Sequence, residues 1–336
     1  MTGPLLTSMS TRHAKRMMVF SGRAHPALAE QIAERMGVGL GPVTLKTFSN
    51  GEVYARFGES IRGADVFIVQ PICANDDTGV STNDALMELL VMIDAAVGAS
   101  AHRVIAVCPW YGYSRQDKKS APREPISARL VARMLEAAGA DRVLAMDLHA
   151  GQLQGFFRIP VDHMTALTLL ADHIAAIPFE QEVVIVSPDA GRVKLNKRFA
   201  DRIGADLAIL DKERPAQQEA RVGRIIGEVE GRTAVILDDI IDTAGTLKVA
   251  AEAVLEAGAA QVLAAATHGI FSGRAAENLA AAPLERVVVT DTVMPPNPLP
   301  SKVEVLTCAQ LLADSMGHIF RNDSVSAVFE GQNHAF

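Results

Sequence analysis

Short apolar runs broken by polar or glycine-containing turns recur along the chain. They alternate with stretches in which apolar residues return at helical spacing. Residues 16–20 predict a first strand and residues 26–36 a helix. The runs 66–69, 104–107, 143–146, 183–186, 207–210 and 234–237 hold no polar residue, as strands buried on both faces of a parallel sheet require. Between them, residues 85–97, 127–138 and 247–257 place apolar positions at helical intervals. A helix-end phrase, Gly98-Ala99, Gly139-Ala140 and Gly258-Ala259, leads each time into another apolar strand. Each of these glycines reads as a helix C-cap. The repetition predicts a duplicated α/β unit, with two pseudo-symmetric domains, 17–162 and 163–336, meeting near residues 160–165. Residues 1–16 fall outside both as a disordered start.

Composition agrees with that architecture. A chain of 336 residues, 49% hydrophobic and only 5% aromatic, builds two ordinary domains with stacked helices and parallel strands. A net charge of -7 argues against a nucleic-acid surface. Cys73, Cys108 and Cys308 are widely spaced, odd in number and in no metal-type pattern, which suits a reduced cytoplasmic protein. The basic cluster Arg12, Lys15 and Arg16 precedes an apolar stretch too short for a secretory signal. No segment is long and apolar enough to cross a bilayer.

The chemistry concentrates after the run 234–237. Asp238, Asp239, Ile240, Ile241, Asp242, Thr243, Ala244, Gly245 and Thr246 read as a loop that leads into a helix. Small and hydroxyl residues at a helix start leave backbone N–H groups and the positive end of the dipole free, a place for a phosphate without Lys or Arg. Two carboxylates at the carboxyl end of the preceding strand would repel that phosphate, but they accept hydrogen bonds from sugar hydroxyls or hold Mg²⁺. Together they suggest a sugar phosphate. The plain alternative for an isolated acid pair is an acidic turn with an N-capping Thr. The first copy of the unit has no such loop after residues 66–69.

The first half offers other groups. Phe48, Ser49, Asn50, Gly51 and Glu52 form a polar turn between apolar runs, and Asn-Gly alone predicts only a β-hairpin. After residues 104–107 come Trp110, Tyr111 and Tyr113, then Arg115, Gln116, Asp117, Lys118 and Lys119. Aromatics followed by cations suit a base and its phosphates, although such a run is more often a solvated loop. His149 and Asp189 each follow a strand, where either is a metal candidate, while a lone His is more often simply packed or hydrogen-bonded. Lys212, Glu213 and Arg214 follow the run 207–210 as two cations placed to meet a polyphosphate.

The order of these segments carries a resemblance. The Phe48 turn, Tyr111 to Asp117, Arg123-Glu124-Pro125-Ile126, Asp147-Leu148-His149, Gln154-Gly155-Phe156-Phe157, Ser187-Pro188-Asp189, the Lys212 segment and Asp238 to Thr246 run from near Met17 to Phe329 as in the ribose-phosphate pyrophosphokinases. The chain resembles that family over nearly its whole length. The resemblance implies an α/β protein of two similar phosphoribosyltransferase-like domains, with mostly parallel sheets flanked by helices. It implies transfer of the pyrophosphoryl group of MgATP to the 1-hydroxyl of ribose 5-phosphate, giving phosphoribosyl pyrophosphate and AMP.

By the same resemblance Phe48, Asn50, Gly51, Glu52, Arg115 and Gln116 match ATP-site positions, and His149 and Asp189 match Mg²⁺ positions. Arg214, Asp238, Asp242, Thr243, Ala244, Gly245 and Thr246 match the ribose-phosphate site, with Lys212 and Arg214 catalytic. Dimers assembling into a homohexamer, with active sites at a subunit interface, are implied as well. Where many relatives have a second Gly after Ser-Pro-Asp-x-Gly, this chain has Arg192, and Glu213 stands where many have Arg. Residues 120–123 also depart, in a region tied to regulation by phosphate and ADP. A phosphoribosyltransferase or a catalytically silent regulatory homologue are the rival readings. A Walker A loop, the usual phosphate cradle, is absent.

Overall fold

The computed structural model describes residues 15–213 and 221–329. Most of the expected disordered start lies outside these residues, as does Arg214. In the first half the apolar runs become β1 (Met17–Ser21), α1 (Pro26–Arg35), β2 (Val43–Thr47), β3 (Val53–Phe57) and β4 (Asp65–Val69). They continue as α2 (Thr82–Gly98), β5 (Arg103–Cys108), α3 (Ser127–Ala138), β6 (Arg142–Met146) and β7 (Val161–Met164). The second half adds α4 (Leu167–Ala176), β8 (Val183–Ser187), α5 (Val193–Ile203), β9 (Asp206–Glu213), β10 (Arg221–Ile226) and β11 (Thr233–Ile241). It closes with α6 (Gly245–Glu256), β12 (Gln261–Gly269), α7 (Ala275–Ala281), β13 (Arg286–Thr290), β14 (Val303–Leu306) and α8 (Ala309–Arg321).

Two sheets repeat one plan. The first runs β1-β4-β5-β6-β7, all parallel, and the second runs β8-β11-β12-β13-β14, also parallel, with β9 and then β10 added beside β8. Each half also carries an antiparallel hairpin after its first strand and helix: β2–β3 stands apart as its own ribbon, whereas β9–β10 joins the sheet. The chain passes from one sheet to the other at residues 165–166, because β7 is whole in the first sheet and α4 packs on β12 of the second.

The halves share a core. One apolar layer lies between sheet and helix in both: Val19, Phe67 and Ile105 of the first sheet and Ile185, Val235 and Leu263 of the second are buried with α1, α4, α5 and α8. Separate layers cover the outer faces, α2 and α3 on the first sheet and α6 and α7 on the second. Burying a side chain such as Phe67 or Ile185 fully stabilises the fold by roughly 1.5–3 kcal/mol. A charged stitch adds to the join. Buried Asp65 takes Arg103 at 2.5 Å, His102 at 2.7 Å and Lys15 at 3.3 Å, while Arg103 also reaches the Ile319 carbonyl at 3.3 Å on α8. Burial alone would raise the Asp65 pKa, but the bonds from Arg103 and His102 outweigh it and hold the carboxyl below its ordinary range.

Several boundaries differ from the sequence expectation for local reasons. Helix α2 begins at Thr82, three residues before the apolar pattern, because Ser81 and Asp84 form a capping box. It runs through Gly98, and the left-handed residue that ends the turn is Ser100 (φ 63°). Lys212 and Glu213 are not a loop beyond the strand, since β9 continues through both, opposite residues 222 and 221 of β10. The acid pair is likewise strand: β11 extends to Ile241, with Asp238 opposite Ala266 and Ile240 opposite His268 of β12. Longer pairing with β12 satisfies backbone groups that a loop would leave to water.

Candidate functional site

The carboxyl ends of the two sheets face each other, so loops from both halves close round the same space. From the second half come the turn after β8 and the stretch from the end of β11 into α6. From the first half come the loops after β5 and β6. Two cavities result. One, of about 300 Å³, is lined by Asp238, Asp239, Asp242 and the turn 243–246, with Arg115 and His149 reaching in from the first half. The other, of about 500 Å³, is lined by Asp117, Lys118, Ser120, Gln152 and Lys194. Arg115, His149, Asp189 and Arg192 line both.

The turn before α6 is built to receive something. Ala244 sits in the left-handed region (φ 57°, ψ 9°) at the N-cap, and no side chain caps the helix. A non-glycine residue there carries strain, which the surrounding structure must hold. The first N–H groups of α6 therefore have no side-chain acceptor, the arrangement that binds anions at helix starts. Gly245 has open space: an added Cβ would meet nothing closer than 3.8 Å. The protein's own packing therefore does not require a glycine there.

Asp238 and Asp239 differ sharply in charge state despite being neighbours. Burial, and then the negative charge of Asp239, push the Asp238 carboxyl up to about 8. Burial acts on Asp239 too, but the hydrogen bond from His149 and the charge of Arg192 hold it well below the usual carboxylate range. His149 Nδ1 lies 2.8 Å from Asp239 Oδ2. The carboxylate accepts there from Nδ1–H, and Nε2 is the ring nitrogen outside that bond. Nε2 makes no hydrogen bond among the described residues. Behind it, Asp147 (φ 34°) accepts from Thr267 Oγ1 at 2.6 Å and from the Ala166 N–H at 2.9 Å, while its carbonyl accepts from His268 Nε2 at 3.2 Å. The loop that carries His149 is therefore bolted to the second sheet.

Asp189 caps the turn 190–192, accepting the Gly191 N–H on Oδ1 at 2.9 Å, which leaves Oδ2 uncommitted among the described residues. Arg115 pairs with Asp242 across the halves, and Ser272 also donates to Asp242. Asp242 is thereby held at the edge of the turn.

Not every expected residue converges here. Phe48, Asn50, Gly51 and Glu52 are exposed at the tip of β2–β3 and line neither cavity. The tip is the expected Asn-Gly hairpin turn, with Gly51 at φ 93°, and Phe48 packs edge-on against Tyr54 at 5.8 Å. Gln116 follows Arg115 but its side chain accepts from Ser127 at the start of α3. Lys212 stands near the outer end of β9, and Arg214 lies outside the described residues. Two residues of the site had no assigned role from sequence. Asp239 was legible as half of an acid pair, but its ion pairing was not. Arg192 reads in the sequence as a departure only; the fold turns it into the centre of the acid cluster.

Comparisons with known proteins agree over nearly the whole chain. The family model for the N-terminal domain of ribose phosphate pyrophosphokinase matches residues 17–139, and that for the phosphoribosyl synthetase-associated domain matches residues 215–330. The ribose-phosphate pyrophosphokinase of Streptomyces avermitilis is 45% identical over 330 residues, covering 97% of this chain and 100% of the relative. That of Caldanaerobacter subterraneus subsp. tengcongensis is 47% identical over 319 residues, covering 95% and 99%. The crystal structure of phosphoribosylpyrophosphate synthetase from Mycobacterium smegmatis superposes with a TM-score of 0.85 at 43% identity, covering 92% of this chain and all of that one. With relatives of this identity and coverage, and two parallel sheets that meet at their carboxyl ends, the chain belongs to the ribose-phosphate pyrophosphokinase family.

Proposed function

We propose that this protein transfers the pyrophosphoryl group of MgATP to the 1-hydroxyl of ribose 5-phosphate, producing phosphoribosyl pyrophosphate and AMP. The observation that carries the reading is the uncapped start of α6 opening beside the acid pair. The 5-phosphate takes the N–H groups of the turn 243–246, and Asp238, with Asp242 at the rim, accepts from ribose hydroxyls. ATP takes the neighbouring cavity, where Arg115 and Lys118 meet its phosphates.

The 1-hydroxyl oxygen forms its bond to the β-phosphorus of ATP while the bond from that phosphorus to the α-phosphate oxygen breaks, and AMP leaves. The hydroxyl proton goes to solvent. Little covalent work falls to the protein, so rate comes from holding the two oxygens in line and from neutralising charge as it develops. Lys212 and Arg214 take the second task by their place in the family pattern, with Arg115. No Walker A loop is needed, because the first-half loops supply the nucleotide side.

The residues present fit a Mg²⁺ ion brought with the nucleotide. No group of three or more His, Cys, Asp or Glu side chains among the described residues forms a metal cage. That is the expected arrangement for Mg²⁺, which keeps waters and takes substrate phosphates beside one or two protein ligands. Asp189 offers a hard oxygen, and His149 presents Nε2. When bound, the ion neutralises phosphate charge and orients the triphosphate.

A phosphoribosyltransferase would share the α6 turn but has no use for the second cavity. A catalytically silent homologue would not keep Arg115, His149 and Asp189 directed at one space. Because the Phe48 turn lines neither cavity, its ATP contact comes from a second copy of the chain, as in a dimer assembled into a homohexamer. No helix among the described residues is long and apolar enough to cross a membrane, and three buried free thiols suit the cytoplasm.

The test is incubation with ATP, Mg²⁺ and ribose 5-phosphate, with AMP and phosphoribosyl pyrophosphate measured together. Equal amounts of both are expected. ADP in place of AMP, or no product at all, would refute the reading. Light scattering on the same sample gives the assembly size.

A further inference from the structure

Arg192 stands in the wall between the two cavities and lines both. The transfer chemistry above gives it no task. Its base is held firmly. Asp189 caps the turn 190–192, and one turn into α5 the buried Asn196 donates to Ser187 Oγ at 2.9 Å and to the Leu237 carbonyl at 3.0 Å, pinning the helix start to β8 and β11. The Arg192 side chain is only 14% exposed.

Its charged end meets the oxygens of two carboxylates and a carbonyl, beside the His149 ring. Nη2 pairs with Asp239 Oδ2, donates to the His149 carbonyl at 3.1 Å and lies 3.3 Å from His149 Nδ1. Nε is 4.0 Å from Asp238 Oδ1. Two carboxylates side by side on β11, without that guanidinium, would offer a divalent cation a pair of hard oxygen ligands. With it, the position is filled by a cation that belongs to the chain.

We propose that Arg192 is a positioning residue, the resident counter-ion of Asp238 and Asp239, so that the enzyme carries no divalent-cation site of its own on this acid pair. Two consequences follow from the geometry. The negative charge of Asp239 is offset before any substrate arrives, which lets a polyphosphate approach a carboxylate that would otherwise repel it. And because a side chain does not dissociate, that neutralisation is independent of free metal concentration.

The decisive measurement counts Mn²⁺ bound to the ligand-free full-length protein by electron paramagnetic resonance, and it does not depend on the transfer reading. Wild type and Asp239→Asn should bind equal numbers of Mn²⁺. Arg192→Gln should gain one Mn²⁺ per chain, which the double variant Arg192→Gln/Asp239→Asn loses again, and Arg192→Lys should match wild type. A kinetic arm rests on the proposed reaction: at saturating MgATP, Arg192→Gln should need roughly tenfold more free Mg²⁺ for half-maximal AMP release, with Arg192→Lys close to wild type. A Mn²⁺ in wild type that Asp239→Asn removes would overturn the proposal, as would an Arg192→Gln protein that gains none. If circular dichroism shows Arg192→Gln unfolded, wild type against Asp239→Asn decides alone. A wild type that releases no AMP refutes the transfer reading, and the Mn²⁺ counts still judge Arg192.

Discussion

Helices α2 and α6 hold equivalent places in the two halves, each following the second strand of the five-strand plan the sheets share, yet their N-termini have opposite fates. At α2, Ser81 Oγ accepts the Asp84 N–H at 3.1 Å, while Asp84 Oδ2 accepts the Ser81 N–H at 3.0 Å. The helix start is closed by its own carboxylate. At α6, Ala244 offers no side chain and the N–H groups stay open. The surrounding clefts follow suit. Where the loop after β4 meets those after β12 and β13, a cavity of about 480 Å³ is lined by Asp76, Asp77, Trp110 and Phe271, with no Lys or Arg in its wall. One duplicated unit thus yields two clefts that differ both in how the helix start is capped and in the charge of the wall. The hairpins diverge in the same way, β2–β3 projecting its tip outward and β9–β10 joining the sheet.

The most severe way to erase this contrast is to close α6 as α2 is closed. Thr246→Asp puts a carboxylate in the first turn, where its repulsion of an incoming phosphate should cost several kcal/mol, about a hundredfold or more in ribose 5-phosphate affinity. Titration calorimetry should show ATP affinity little changed. Equal loss of both ligands would mean that the turn is structural.

The hairpins give the next test. Lys212→Ala should lower kcat and kcat/KM together by on the order of a hundredfold, as expected for a cation that acts in the transition state. Phe48→Ala, on the other hairpin, removes the proposed base contact, of a kind worth roughly 1–3 kcal/mol, and should raise the KM for ATP about tenfold while sparing kcat. Steady-state AMP release separates the two patterns. A Lys212→Ala enzyme with near-normal kcat would sink the assignment.

Opening α2 should matter only to stability. Asp84→Ala breaks the capping box and costs about 1 kcal/mol, read as a lower urea midpoint with AMP release unchanged. New binding of ribose 5-phosphate by the first half would contradict the view that cleft charge also matters.

The smallest effect is on pH dependence, and both halves should share it. Burial lowers the pKa of His25 in the first half and of His268 in the second. Their folded-state values lie below the unfolded one, so the unfolded chain binds more protons. The stability they allow is complete above the ordinary imidazole value of about 6.5 and is lost as pH falls below it. At His25 the reason is visible: Nδ1 must accept the Leu28 N–H that caps α1, at 3.3 Å. Urea midpoints should fall between pH 7.5 and 5.5, and His268→Gln should flatten the curve.

Much of this was legible beforehand from local signals. The runs 66–69, 104–107 and 234–237 are strands, residues 127–138 are a helix with Gly139 at its left-handed cap, and Asn50-Gly51 turns a hairpin, each because steric preference acts over a few residues. Of the site, the turn 243–246 and the acid pair stood out, because an anion site at a helix start is itself local. Boundaries failed where a single side chain overrode periodicity, as at Ser81, or where a neighbouring strand extended pairing, as at Asp238.

The amino-acid sequence by itself determined which segments are strands and helices, that the unit is repeated, and which loop suits a phosphate. Those properties rest on contacts between residues close along the chain. Only the tertiary structure decided that one core layer runs through both halves, that Arg115 and His149 reach across to Asp242 and Asp239, and that Arg192 fills the space among the acids. Such contacts join residues dozens of positions apart, and their partners are chosen by how two sheets pack, a property that no stretch of sequence carries alone.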